Sequence, residues 1–422
     1  MRPPARILLA GVLLVLPASV GLVHAARAKV KPAAEPVAPA APVEPPPPVE
    51  VPALASGRAD GLRVVWEELP GPAVSARLVL RLDRLKAEHP TPGAAAVVAS
   101  TALFSGPHAG VLAAGGAGRG VVVEDNSVVV GVDSLRERWK DDVGALISAV
   151  SQPPLTDAAL NAARHRLTSF GPAWELDDVF RTVVSRVVTQ DVALALGEGV
   201  PPLVTVDSAV WHVEEAWSAD RMVLVGAGPV PPGDLEALLQ RTFLVPVSAP
   251  DAPTARDPEP AGPLADDVAA IPPGYLAYGQ RARALPPADA VVLAELVRLR
   301  LEEQTPQAAE CEVRYLPSAS EPSVVALCLG AQGTALDVRE ALGAAWDPKT
   351  MLPAKPAELA VARKIALGRL QADRATAVLL AARLARWAAA GLDGGLGLER
   401  AVAATTDASL GTSLETLLRP ER

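Results

Sequence analysis

Gly93-Ala94-Ala95-Ala96-Val97-Val98-Ala99-Ser100-Thr101-Ala102-Leu103-Phe104-Ser105-Gly106 carries no charged side chain. It reads as one Ala-rich helix over Gly93–Phe104 that stops at Ser105-Gly106. Upstream of it, Leu62–Glu67 and Val74–Leu82 read as strands, parted by a turn at Pro70 and Gly71. Downstream, Val121–Glu124 and Ser127–Val132 read as a hairpin turned by Asp125 and Asn126. Asp141–Val150 and Thr156–Leu167 are helical by pattern, the second capped by Thr156 or Asp157. Met222–Gly226 follows as a strand and Asp234–Phe243 as a helix.

A Pro-rich break then interrupts the pattern. Pro246, Pro250, Pro253, Pro258, Pro260, Pro263, Pro272 and Pro273 stand among Asp and Ala, and 246–273 reads as an interdomain linker. It separates a first domain, 55–245, from a second, 274–422. In the second, Tyr275–Ala282 reads as a strand and Pro287–Glu303 as a long helix. Cys311–Leu316 and Ser323–Leu329 form a candidate hairpin, and Thr334–Ala345 and Ala357–Trp387 read as helices. Each half is thus α+β, with helices packed on a mainly antiparallel sheet, and the second half echoes the first.

The chain has 422 residues, half of them apolar but few aromatic, so its core must be built from many small and aliphatic side chains. A net charge of −9 without any basic stripe argues against nucleic acid as a partner. At the N-terminus Arg2 and Arg6 precede an apolar run, Ile7 to Val23, followed by Ala25, Ala26 and Ala28. That is the layout of a secretory signal, with cleavage after Ala25 giving a signal peptide of 1–25. The alternative is an uncleaved anchor, since a run of about 17 residues sits at the lower edge of what spans a bilayer, but Pro17 interrupts it. Residues 26–54, with Pro45 to Pro48, read as a disordered Pro/Ala-rich tether. No later segment is long and apolar enough to cross a membrane. The expected location is the periplasm or cell envelope.

Several short matches, in order, give the chain a family resemblance. Gly61-Leu62-Arg63-Val64-Val65, the strand at 74–82 and Leu103-Phe104-Ser105-Gly106 come first. Gly115-Gly116-Ala117, Pro154-Leu155-Thr156-Asp157, Arg221–Gly226 and Pro232-Gly233-Asp234-Leu235 follow, then Pro356-Ala357-Glu358-Leu359 with Ala362 and Lys364. Together these resemble the insulinase or pitrilysin-type, M16-like, zinc metallopeptidases, a group that includes mitochondrial processing peptidase and the core proteins of the bc1 complex. The resemblance covers 55–422 and implies two homologous insulinase-like domains.

Active members of the family carry an inverted motif, His-x-x-Glu-His, just before the Leu-Phe-x-Gly segment. Histidines four apart share a helix face and hold one zinc ion, and the glutamate deprotonates the bound water. Counted back from Leu103-Phe104-Ser105-Gly106, those positions are Val97, Ser100 and Thr101. Valine has no lone pair, and neutral hydroxyls are poor zinc ligands and cannot act as a carboxylate base. The third family ligand falls near Phe170 or Gly171, where no acid stands, and Glu175 is the nearest. The Arg and Tyr that non-catalytic subunits use to grip substrate would align near Gln304 and Cys311, leaving Arg300, Arg314 and Tyr315 out of register. The resemblance therefore implies a pseudo-peptidase with no metal or other cofactor.

The other motifs weaken on inspection. His89, His108, His165 and His212 are far apart, and the first two read as loop residues beside Pro90 and Pro107. Arg164-His165-Arg166 reads as an exposed helix face. The Gly-rich 115–120 leads into a strand, lacks the helix amides of a phosphate cradle and reads as a loop. Gly226-Ala227-Gly228 is followed by Pro229, Pro231 and Pro232, which have no amide to offer, and reads as a turn. If Leu316 pairs with Ser323, Cys311 lies opposite Cys328. A cross-strand disulfide and two buried thiols both suit that placement.

Two functions are expected from the resemblance. The first is a silent subunit pairing with a zinc-bearing peptidase subunit around peptide substrates. The second is a stand-alone envelope scaffold or peptide-binding module.

Overall fold

The structure is a computed structural model that describes residues 55–59, 62–82, 92–124, 127–169, 203–217, 219–242, 275–282, 284–304, 309–317, 322–330, 335–392, 395 and 397–419. The signal (1–25), the tether (26–54), the linker (246–273), His89, Phe170, Gly171 and Glu175 lie outside the described residues.

The first half builds a six-stranded sheet from β1 (Ala55–Ala59), β2 (Leu62–Glu68), β3 (Ala73–Arg81), β4 (Gly118–Glu124), β5 (Ser127–Leu135) and β6 (Met222–Gly228), in the order β1-β2-β6-β3-β5-β4. All neighbours are antiparallel except β2 and β6. Its helices are α1 (Pro92–Phe104), α2 (Gly106–Ala114), α3 (Trp139–Ser151), α4 (Asp157–Ser169), α5 (Val206–Ala216) and α6 (Pro232–Thr242). The second half carries β7 (Tyr275–Arg281), β8 (Ala309–Leu316) and β9 (Ser323–Gly330), ordered β7-β9-β8 and antiparallel throughout. Around them come α7 (Pro287–Gln304), α8 (Ala335–Ala345), α9 (Pro348–Met351), α10 (Pro356–Ala372), α11 (Ala377–Ala389), α12 (Leu398–Ala403) and α13 (Asp407–Leu418). Mixed α+β with mostly antiparallel sheets is what the sequence predicts. Among the described residues no single helix is long and apolar enough to cross a membrane.

The central strands are buried on both faces. Successive strand residues point to opposite sides. Trp66, Leu78, Leu224 and Val130 turn to α1 and α3, whereas Val65, Val79, Val225 and Val129 turn away. What covers that second side is α11, from the second half of the chain. Its Leu380, Leu384, Ala385 and Ala388 pack on those valines. The two halves therefore share a core layer, and the described part of 49–422 belongs to one compact unit.

This packing corrects the expected single helix over Ala357–Trp387. The chain breaks at a 3-10 turn, Asp373–Ala375, and Thr376 restarts it by accepting a hydrogen bond from the Leu379 amide (3.2 Å). Nothing in local propensity requires the break. It lets α10 stay on α7 while α11 crosses to the first sheet. Two further corrections concern glycines. Residues 118–120, expected in a loop, belong to β4, and 226–228, expected as a turn, complete β6 between β2 and β3. In both, ladder pairing in the sheet overrides the turn preference of glycine. β1, α2, α5, α9, α12 and α13 are additions the sequence reading does not contain.

In β8 and β9, Leu316 pairs with Ser323 and Cys311 with Cys328. The structure joins the two sulfurs, with Cα atoms 4.1 Å apart.

α10 begins at Lys355 with Pro356 in its first turn, and Glu358 reaches back to the Lys355 amide (3.4 Å). Burial alone would raise the Glu358 pKa, but hydrogen bonds from Arg300 (2.6 Å) and Lys355 (3.1 Å) outweigh it and hold the carboxyl below its ordinary value. A depressed folded pKa stabilises above the unfolded value, about 4.3, and that stability is lost as pH falls through the folded one. Glu358→Gln is thus expected to melt lower than wild type at neutral pH, with the gap closing as the pH drops below the ordinary glutamate range. Thermal melts across pH measure it.

Candidate functional site

Val97, Ser100 and Thr101 share one face of α1, as spacings of i, i+3 and i+4 require. All three are buried, Val97 at 1% exposure and the two hydroxyl residues at 0%. Thr101 donates its hydroxyl to the Val97 carbonyl (2.9 Å), bonding back into its own helix. Ser100 Oγ is buried and has no hydrogen-bond partner among the described residues. α1 packs among α4, β4, β5 and α3, so the face that bears Val97, Ser100 and Thr101 is packed as core.

The fit to zinc is poor. The face presents a methyl-bearing side chain, a hydroxyl committed to its own backbone, and a neutral buried hydroxyl. None supplies the anionic or imidazole donors that zinc takes. Among the described residues no group of three or more His, Cys, Asp or Glu stands close enough to share a metal ion. Among the described histidines, His108 lies on α2 and not in the expected loop, His165 is exposed on α4 as expected, and His212 is buried on α5 with its ring 5.5 Å from that of Trp211.

Arg300, Arg314 and Tyr315 have structural employment. Arg300 donates to the Thr350 carbonyl (3.0 Å) and to Glu358, tying α7 to α9 and α10. Arg314 pairs with Glu312 (3.3 Å). The Tyr315 ring packs 5.9 Å from that of Trp387, and burial pushes its phenol up to about 12.

One cluster beside the motif escapes sequence reading. Phe104 lies one turn beyond Thr101, where the guanidiniums of Arg119 (β4) and Arg166 (α4) reach 4.8 and 4.4 Å from its ring centroid. Arg119 Nη1 also donates to the carbonyls of Leu103 (3.4 Å) and Ala109 (3.2 Å) across the α1–α2 corner. That corner depends on Gly106, whose φ of +80° is left-handed and favours glycine. The 97–100–101–104 spacing is legible in the sequence. The approach of arginines from 15 and 62 residues further on is not.

No protein-family model matches the sequence, and no curated protein matches it either. Solved structures do match in fold. A protease from Helicobacter pylori superposes with a TM-score of 0.66 at 13% identity, over 86% of this chain and 96% of its own. A chain of complex III2 from Candida albicans gives 0.63 at 14%, over 86% and 93%. The peptidase M16 inactive domain from Pseudomonas fluorescens gives 0.60 at 14%, over 86% and 95%. The chain has the fold of the M16-like peptidases.

Proposed function

We propose that this chain is a non-catalytic M16-type subunit that pairs with a separate zinc-bearing subunit and helps enclose peptide substrates. The observation that carries the reading is the occupied motif face. A fold associated with zinc peptidases keeps its motif helix but fills the three positions with Val97, Ser100 and Thr101, all packed as core. Without metal chemistry of its own, such a fold is left with assembly and binding. The similarity of the inactive domain from Pseudomonas fluorescens is in keeping with this.

In this reading the two insulinase-like halves, 55–245 and 274–422, form one clam-shell element. The signal of 1–25 exports the chain to the periplasm or cell envelope, where the Cys311–Cys328 pair stays oxidised. A second reading, a scaffold without a peptidase partner, draws on the chain of complex III2 from Candida albicans, whose similar fold sits in a larger assembly.

Native mass and zinc content of the protein purified from its own cells separate the two. A one-to-one complex with a second chain and one zinc per pair is expected. A metal-free species with no such partner sinks the subunit reading and favours the scaffold. Stoichiometric zinc on this chain alone overturns both.

A further inference from the structure

Val97, Ser100, Thr101 and Phe104 follow i, i+3, i+4 and i+7 and line one face of α1. The motif face thus ends at the Phe104 ring, and on that ring two cations from separate elements converge. Like charges held together cost free energy unless an anion joins them. Here the repulsion is felt: partial burial, and then Arg166, lower the Arg119 pKa, and no carboxylate acts against them. Among the described residues neither guanidinium forms an ion pair.

The donors are placed but not used up. Arg119 Nη1 is fixed on the Leu103 and Ala109 carbonyls, which holds the guanidinium in position while, among the described residues, Nε and Nη2 have no acceptor. Arg166 is exposed, and among the described residues its guanidinium has no hydrogen-bond acceptor and lies against the ring. Two guanidinium forks with open N–H groups suit a planar carboxylate, which accepts two parallel hydrogen bonds. The C-terminal carbonyls of α1, beside the same ring, carry partial negative charge and oppose a dianion more than a monoanion. That favours a carboxylate over a phosphate.

We propose that Arg119 and Arg166, both held against the Phe104 ring, form a subsite that captures a carboxylate of a bound peptide. The inference rests on the function above only for the peptide. The arginine pair needs no partner subunit, so the chain can be tested alone.

The probes are dye-labelled short peptides of one neutral sequence, with a free C-terminus, with a C-terminal amide, or amidated with one internal Asp. Fluorescence anisotropy with the full chain is expected to show carboxylate-bearing peptides binding at least about tenfold tighter than the neutral amide. Tight binding of the free C-terminus alone identifies terminal capture, and equal binding of the Asp peptide identifies side-chain capture. Arg166→Ala should erase the preference with an unchanged circular dichroism spectrum, because Arg166 is exposed. Arg119→Lys, which keeps the charge but not the fork, should weaken it. Binding indifferent to the carboxylate, or an Arg166→Ala protein that keeps the preference, overturns the proposal. So does inorganic phosphate competing better than acetate. None of these results touches the native-mass experiment, and a missing zinc partner would leave the subsite intact.

Discussion

Arg374→Ala is expected to lower the unfolding free energy by about 3–5 kcal/mol, a large share of the roughly 5–15 kcal/mol that a folded protein has. Arg374, in the 3-10 turn between α10 and α11, donates through Nε to Glu67 Oε1 (2.9 Å), and its Nη2 bonds the same oxygen. Its Nη1 approaches Glu399 (3.5 Å). Glu67 is wholly buried in β2, and Glu399 is 2% exposed in α12. Removing the guanidinium leaves Glu67 without its ion pair, and among the described residues Glu67 Oε2 already lacks a partner. Glu399 fares better, because Arg383 still donates to it (2.8 Å). The damage should therefore centre on Glu67. Urea denaturation measures the loss, and the double variant Arg374→Met/Glu67→Leu should recover much of it by removing both charges. If the single variant is as stable as wild type, this network does not hold the two halves together.

Gly226→Ala should cost about 3 kcal/mol or more, at the top of the range for overpacking. A Cβ on Gly226 would lie 2.2 Å from Cζ3 of Trp66 and 2.6 Å from the Ser75 carbonyl oxygen. Trp66 is one of the largest fully buried side chains and Ser75 O is ladder backbone, so neither can retreat cheaply. β6 sits between β2 and β3, and a shift there disturbs both of its neighbours. Gly120→Ala is the control. It is also a glycine in a strand, but an added Cβ meets nothing within 4 Å, so its effect should stay within about 0.5 kcal/mol. Equal melting temperatures for the two variants would refute the close-packing account of Gly226.

These two sites bear on the proposed function as well. A clam-shell element that binds peptides or a partner has to keep its halves in register. Here that register depends on one buried charge network and on one helix that leaves its own half to cover the sheet of the other. The carboxylate subsite lies on the opposite face of that sheet, among helices of the first half.

Much was legible in the chain alone. Helical and strand periodicity placed α1, α3, α4 and α7 and most strands within a few residues of their observed bounds. The turn between Leu316 and Ser323 set the register that puts Cys311 opposite Cys328. Spacing before Leu103-Phe104-Ser105-Gly106 was enough to put Val97, Ser100 and Thr101 on one helix face, because i, i+3 and i+4 residues share a face whatever the tertiary context. Contacts made at long range decided the rest. The break at 373–376 follows from Arg374 meeting Glu67, 307 positions away, and from sheet valines that only α11 covers. Position 226 has to be glycine because Trp66 and Ser75 leave room for no side chain there. Arg119 and Arg166 became a pair only when β4 and α4 brought them to the same ring. Local pattern carries backbone preference and face, whereas charge partners and shared core layers are properties of distant segments brought together by burial.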